Sequence, residues 1–153
     1  MSRAFVREGD GSDPLPERAV SPHPNLVTPR GLAGLESRVR ELEGERAAAR
    51  AAADQALTER VERDLRYFGA RRASARVIAP GTAADKVRFG TKVTLATHSG
   101  EQVAFRLVGE DEADVAQGLL SWVSPLAQTL LGREPGETVQ FQGADAEIVS
   151  IEP

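Results

Sequence analysis

Near residue 80 the spacing of apolar residues changes from the period of a helix to that of a strand, and this change divides the chain into two kinds of structure. Upstream, Leu32, Leu35, Val39 and Leu42 recur at alternating steps of three and four, which lays one stripe along a helix. Thr28 offers an oxygen to the free N–H groups of a first turn, and Pro29 suits the first helical position, where no N–H is needed. The run Ala47-Ala48-Ala49-Arg50-Ala51-Ala52-Ala53 continues as strong helix former. A second stripe follows at Leu57, Val61, Leu65, Phe68 and Ala75, with Thr58 as its expected cap. Asp54-Gln55-Ala56 is the expected reversal, which gives an antiparallel helical hairpin over residues 25–79. One continuous helix is the competing reading, since no residue there strictly breaks a helix.

Ala79-Pro80-Gly81-Thr82 ends the helical region, and residues 80–86 read as a linker. From Val87 the period is two. Val87–Phe89, Lys92–Leu95, Val103–Val108, Thr138–Gln142 and Ala146–Ile151 are the expected strands. One helix interrupts them, capped by Ser124, opened by Pro125, stopped by Gly132 and apolar at Leu126, Leu130 and Leu131. The fold class is therefore α+β: a helical hairpin, then an antiparallel sheet over residues 87–153 carrying a single helix. Residues 1–24, polar and rich in proline, bury too little apolar surface to offset their ordering entropy and read as a flexible tail.

Composition removes several classes of chemistry. The chain has 153 residues and no cysteine, which excludes disulfides, zinc fingers and thiol catalysis. Its two histidines, His23 and His98, sit beside Pro, Ser or Gly, a poor basis for a metal site or a catalytic triad. No Gly-rich phosphate loop with an adjacent Lys is present. No apolar run approaches the roughly 20 residues that span a bilayer, and the first residues lack an export core, so no membrane partner and a cytoplasmic location are expected. The net charge of −4 argues against nonspecific nucleic-acid binding. It is unevenly divided: residues 1–80 hold 14 Arg and no Lys against 12 acidic residues, and the remainder carries −6.

Three segments in fixed order carry a resemblance: Val87-Arg88-Phe89-Gly90-Thr91-Lys92-Val93-Thr94-Leu95, then Leu107-Val108-Gly109-Glu110-Asp111-Glu112-Ala113-Asp114, then Ser121-Trp122-Val123-Ser124-Pro125-Leu126-Ala127-Gln128-Thr129-Leu130-Leu131-Gly132 with Pro135-Gly136-Glu137-Thr138-Val139. Together they resemble the polymerase-binding C-terminal domain of the bacterial Gre transcript-cleavage factors, which has an FKBP-like fold. Asn25–Leu32 and Ala73–Ile78 are similar to the start and end of the Gre coiled coil. The resemblance implies an accessory factor of bacterial RNA polymerase, a monomer and not an enzyme. In that family the hairpin enters the polymerase secondary channel, and acidic residues at its tip help to hold the active-site magnesium while the polymerase cleaves backtracked RNA. The chain would have no cofactor of its own, and polymerase Mg2+ would concern it only if the tip reached that ion. By the same resemblance Trp122, Ser124, Pro125 and Leu126 are polymerase-binding candidates, with an ordinary core residue as the alternative for Trp122. Arg60 and Arg63 are candidates for contact with nascent RNA. The alternative for the arginines of the second helix is solvated pairing with Glu36, Glu41, Glu43 and Glu45 across the hairpin. Similarly, Glu110–Asp114 has the alternative of a solvated loop.

The expected tip departs from the family pattern. Gre factors open the second helix with an Asp and a Glu three residues apart, whereas here the candidates Asp54 and Glu59 are five apart, which a regular helix points away from each other. The stretch from Arg30 to Ile78 is also about 18 residues short of the pattern, and at ~1.5 Å rise per residue each arm would end roughly 13 Å early. The expectation is a short-hairpin, Rnk-like variant that binds polymerase without stimulating cleavage. A cleavage factor with an atypical tip is the alternative. An FKBP-like isomerase or chaperone is a third class, disfavoured because only 5% of the residues are aromatic.

Overall fold

The computed structural model describes residues 14–153, so the first thirteen residues of the expected tail lie outside the described residues. Eleven elements follow in order: β1 (Leu26–Val27), α1 (Pro29–Ala51), α2 (Gln55–Ser74), β2 (Arg76–Val77), β3 (Lys92–Thr97), β4 (Gln102–Val108), a 3-10 turn (Val115–Gln117), β5 (Leu119–Ser121), α3 (Pro125–Leu130), β6 (Thr138–Phe141) and β7 (Ala144–Glu152).

The two stripes pack against each other as an antiparallel hairpin. Thr28 caps α1 by accepting from the Gly31 N–H at 2.9 Å, and α1 buries Leu35, Val39, Leu42 and Ala49. From α2, Val61 is buried opposite them, with Leu65 and Phe68 half-buried. The reversal lies two residues earlier than the sequence suggests. Ala52 closes α1, Ala53 takes a left-handed φ of 51°, and Asp54 caps α2 by accepting from the Leu57 N–H at 3.1 Å. Thr58 is therefore not the cap; its hydroxyl donates back to the Asp54 carbonyl at 2.8 Å. A left-handed alanine is strained by its Cβ, and glycine is not. Replacing Ala53 by Gly should raise stability by up to about 1 kcal/mol, about 2–4 °C in Tm, readable in a thermal melt.

At the feet of the hairpin β1 and β2 pair in parallel, Leu26 with Arg76 and Val27 with Val77. Arg76 N–H donates to the Asn25 carbonyl at 2.8 Å and Ile78 N–H to that of Val27 at 2.9 Å. Two-residue strands leave no periodicity to read, and the sequence does not announce them.

The second half is a five-stranded sheet in the order β5-β4-β3-β7-β6. Its pairs are antiparallel apart from β4 with β5, which run parallel, so the sheet is mixed where a wholly antiparallel one is expected. The loop 109–118 carries the chain back along β4 to make this pairing possible. The core beneath the sheet holds Val93, Leu95, Leu107, Leu120, Ile148 and Ile151, closed on one side by Ala127 and Leu130 of α3. The expected strand Val87–Phe89 does not form. Val87 is in the core, but its backbone exchanges hydrogen bonds of 2.9 Å with the Gly132–Arg133 turn after α3 instead of with a strand. Among the described residues no helix is long and apolar enough to cross a membrane.

Candidate functional site

The hairpin tip does not bring the two acidic candidates together. Asp54 spends its carboxylate on capping α2, and Glu59 accepts a 3.1 Å hydrogen bond from Gln55 on the regular helix beyond it. The reversal precedes both residues, so five helical steps separate them by roughly 140° around the axis. Both side chains belong to exposed residues.

The acidic run Glu110-Asp111-Glu112 is the feature that the sequence reading misses. It is not a solvated loop; it closes on the feet of the hairpin. Arg71, on α2, is 2% exposed and is the largest fully buried side chain among the described residues. Its Nε donates to Asp111 Oδ2 at 2.6 Å, and its Nη2 donates to Asn25 Oδ1 at 2.8 Å, with Glu110 Oε2 at 3.4 Å. Tyr67, one turn earlier, donates its hydroxyl to the other oxygen of Asp111 at 2.6 Å. Asn25 completes the set by donating to the Arg71 carbonyl at 2.7 Å. Burial, and then the bond to the Asp111 carboxylate, push the Tyr67 hydroxyl up to about 12, so it remains a proton donor at neutral pH. Beside this cluster Thr28 donates its hydroxyl to Glu112 at 2.5 and 2.8 Å while still capping α1. Gly109 lies so close to β1 that a Cβ there would be 2.4 Å from the Leu26 carbonyl oxygen. The loop after β4 is thus a clasp that fixes the direction in which the hairpin leaves the sheet domain.

The signal for the clasp was present in the stripe of α2. Between Phe68 and Ala75, three after the one and four before the other, the apolar spacing places Arg71. A charge at a buried position requires charged and hydrogen-bonding partners, because desolvation is otherwise too costly. Carboxylates forty residues downstream could not be assigned to it from spacing.

Trp122, Ser124, Pro125 and Leu126 lie together where β5 passes into α3. Ser124 caps α3, accepting from the Ala127 N–H at 3.3 Å and donating to the Ser121 carbonyl at 2.7 Å. Pro125 is exposed, and Trp122 and Leu126 are half-buried. Trp122 meets the His23 ring edge-on, centroids 6.2 Å apart, and its buried Nε1–H has no acceptor among the described residues. Of the basic candidates, Arg60 is exposed, while Arg63 faces its neighbour Asp64 at 3.5 Å. The glutamates of α1 do not pair with them: Glu41 and Glu45 bind Arg38 on their own helix at 3.2 and 3.0 Å, and the bond across the hairpin runs from Arg50 to Glu62. Such exposed pairs contribute about 0–1 kcal/mol each.

Residues 14–24 have no regular structure and run beside α2 toward its foot. Glu17 receives Arg66 in a forked pair at 2.5–3.0 Å, and the Arg18 guanidinium lies 4.0 Å over the Tyr67 ring.

Comparison with known proteins gives this geometry its setting. Residues 82–153, which include the clasp and the Trp122–Leu126 corner, match the family described as transcription elongation factor GreA/GreB, C-terminal. A transcription elongation factor GreA of Acidiphilium cryptum is 36% identical over 133 residues, covering 74% of this chain and 85% of that protein. Another from Alkalilimnicola ehrlichii is 41% identical over 97 residues, 60% of this chain and 61% of its relative. In three of the GreA relatives the match spans only 45–61% of the protein's length. A solved structure of a GreA/GreB factor from Nitrosomonas europaea is 18% identical with a TM-score of 0.43, covering 84% of this chain and 98% of that one. The chain belongs to the GreA/GreB family of transcription elongation factors.

Proposed function

We propose that this protein binds bacterial RNA polymerase at the secondary channel through its sheet domain, presents its hairpin to the channel, and does not stimulate transcript cleavage. The observation that carries the reading is the tip. Cleavage stimulation would need two carboxylates converging on one magnesium ion, each at about 2 Å. Here Asp54 is occupied as a helix cap and Glu59 is turned away by its place on α2. The arms are also short. With 23 residues in α1 and 20 in α2, the hairpin reaches ~30–35 Å from its feet. The clasp supports the same reading from the other end, since a hairpin held at a fixed angle cannot make up missing length by swinging.

Two roles follow from occupying a channel without completing its chemistry: the protein blocks longer factors, and it leaves the polymerase active site unassisted. The sheet domain would dock by the Trp122–Leu126 corner, with nascent RNA as a further contact for Arg60 and Arg63. The test is a transcript-cleavage assay on backtracked elongation complexes. The expected result is no cleavage above the polymerase's own rate, and inhibition of cleavage when this protein is titrated against a GreA. Robust cleavage that disappears in Asp54→Ala would overturn the reading.

A further inference from the structure

We infer that residues 14–24 are an autoinhibitory strap, which covers the flank of α2 and the Trp122 corner and must leave before a partner can engage both. The inference rests on the polymerase reading above and adds a regulation to it.

The strap touches two surfaces, one on α2 and one at the corner before α3. At one end Glu17 holds Arg66, while Arg18 reaches Asp64 at 3.3 Å and stacks over Tyr67 and Phe68 at 4.0 and 5.0 Å. At the other end His23 packs edge-on against Trp122. Both ends lie by a buried donor without an acceptor among the described residues: Arg63 Nε, in a hollow that Pro14 and Leu15 line together with the carboxylates Glu17, Glu59 and Glu62, and Trp122 Nε1. Buried donors are normally satisfied, and a tryptophan N–H in particular usually finds an acceptor. The strap thus lies beside two buried donors without bonding to them. A partner that offers a neutral carbonyl oxygen at both places would gain what the strap leaves unmade, whereas a carboxylate would meet Glu59 and Glu62 at the first.

The strap is also built to leave. The Glu17–Arg66 pair is exposed, with side chains 62% and 56% accessible, so it is weak and screened by salt, and the Arg18–Asp64 pair, at 37% and 21%, is only partly sheltered. Its apolar residues Leu15 and Val20 are 42% and 51% exposed, so little apolar surface holds it down. What keeps it near its place is stiffness: Pro14, Pro16, Pro22 and Pro24 fix the backbone at four of eleven positions and lower the entropy lost on docking. Weak contacts on a preorganised segment make a cover that a modest competing interaction displaces.

Trp122 is the single tryptophan, so its fluorescence reports the strap directly. The experiment compares the full chain with the double variant Glu17→Ala/Arg18→Ala, whose altered side chains lie outside the core. Acrylamide quenching of Trp122 is measured at low and high salt, and affinity for core RNA polymerase is measured on the same samples. At low salt the variant should be quenched about twofold more readily, and the unaltered chain should approach it as salt screens the pairs. If the strap leaves about one molecule in ten open, the variant should bind polymerase about tenfold more tightly. Charge reversal gives a second handle: Glu17→Arg should open the strap, and adding Arg66→Glu should restore protection of Trp122. Equal quenching of the two proteins overturns the strap. Unequal quenching with equal polymerase affinity overturns its inhibitory role. No polymerase binding by either protein removes the function on which that role rests, and the quenching result then stands by itself.

Discussion

Replacing Arg71 by alanine should cost about 3–5 kcal/mol and separate the unfolding of the hairpin from that of the sheet domain. The size follows from what is left behind. Arg71 is 2% exposed and Asp111 12%, so removal of the guanidinium strands a carboxylate away from water with only Tyr67 to bond it. Asn25, 5% exposed, loses the donor to its Oδ1 at the same time. An exposed pair such as Arg66 with Glu17 would lose little by the same truncation, because water replaces the partner. Lysine should not rescue position 71. The site needs a rigid fork that serves Asp111 through Nε and Asn25 through Nη2, and an ammonium group supplies one point of charge on a flexible stem. Urea unfolding followed by circular dichroism checks the first part, and a split of one transition into two checks the second. A cycle with Asp111→Leu isolates the pair itself, for which a coupling of about 1–3 kcal/mol is expected. A loss below about 1 kcal/mol in a single unchanged transition would show that the clasp does not join the two halves.

The clasp also marks the limit of what the sequence makes legible. Helices α1 and α2 are readable because each carries a stripe with a three-and-four spacing, and Thr28 with Pro29 marks the start. Strands β3, β4, β6 and β7 are readable because one face is buried in the core and the other is not, which leaves alternation behind. The failures have a different cause. Val87 has the composition of a strand residue, yet no neighbouring strand is available to it, and only the fold determines that it bonds to the turn after α3. Leu119–Ser121 is too short to show a period, and its parallel pairing with β4 depends on how the loop between them returns. In the same way, the Asp54 and Glu59 geometry turned on which alanine accepts a positive φ, a choice that the run Ala51-Ala52-Ala53 does not encode locally. Arg71 is the instructive residue: its misplacement in an apolar stripe could be seen, but the partners that explain it lie 46 residues upstream and 39 to 40 downstream.

Replacing Gly109 by alanine should destabilise the protein by about 3 kcal/mol, although the change adds a single methyl group. Glycine is not needed there for its backbone angles, since Gly109 is not among the residues of positive φ. It is needed for space. The added Cβ would meet the Leu26 carbonyl oxygen at 2.4 Å and Val27 Cα at 3.6 Å. These are backbone atoms, and they cannot rotate aside as a side-chain end would. Nor can β1 easily retreat, because it is tied to β2 through Arg76 and Ile78 and leads straight into the Thr28 cap of α1. The loop after β4 must therefore move instead, and it carries Glu110, Asp111 and Glu112, whose bonds to Arg71 and Thr28 span only 2.5–3.4 Å. A shift large enough to relieve the clash would stretch several of them together, so the cost should exceed that of an ordinary overpacked methyl group. Gly34 is the control. It is exposed on α1 with open space around its Cβ direction, and Gly34→Ala should stabilise the helix by up to about 1 kcal/mol. The same chemical change should thus have opposite signs at two glycines of one protein, measured side by side by thermal melts. Tolerance of alanine at position 109, with a loss under about 1 kcal/mol, would mean that the sheet domain and the feet of the hairpin can part by an ångström or more, and a hairpin so loosely seated could swing to make up length that the proposed function requires it to lack.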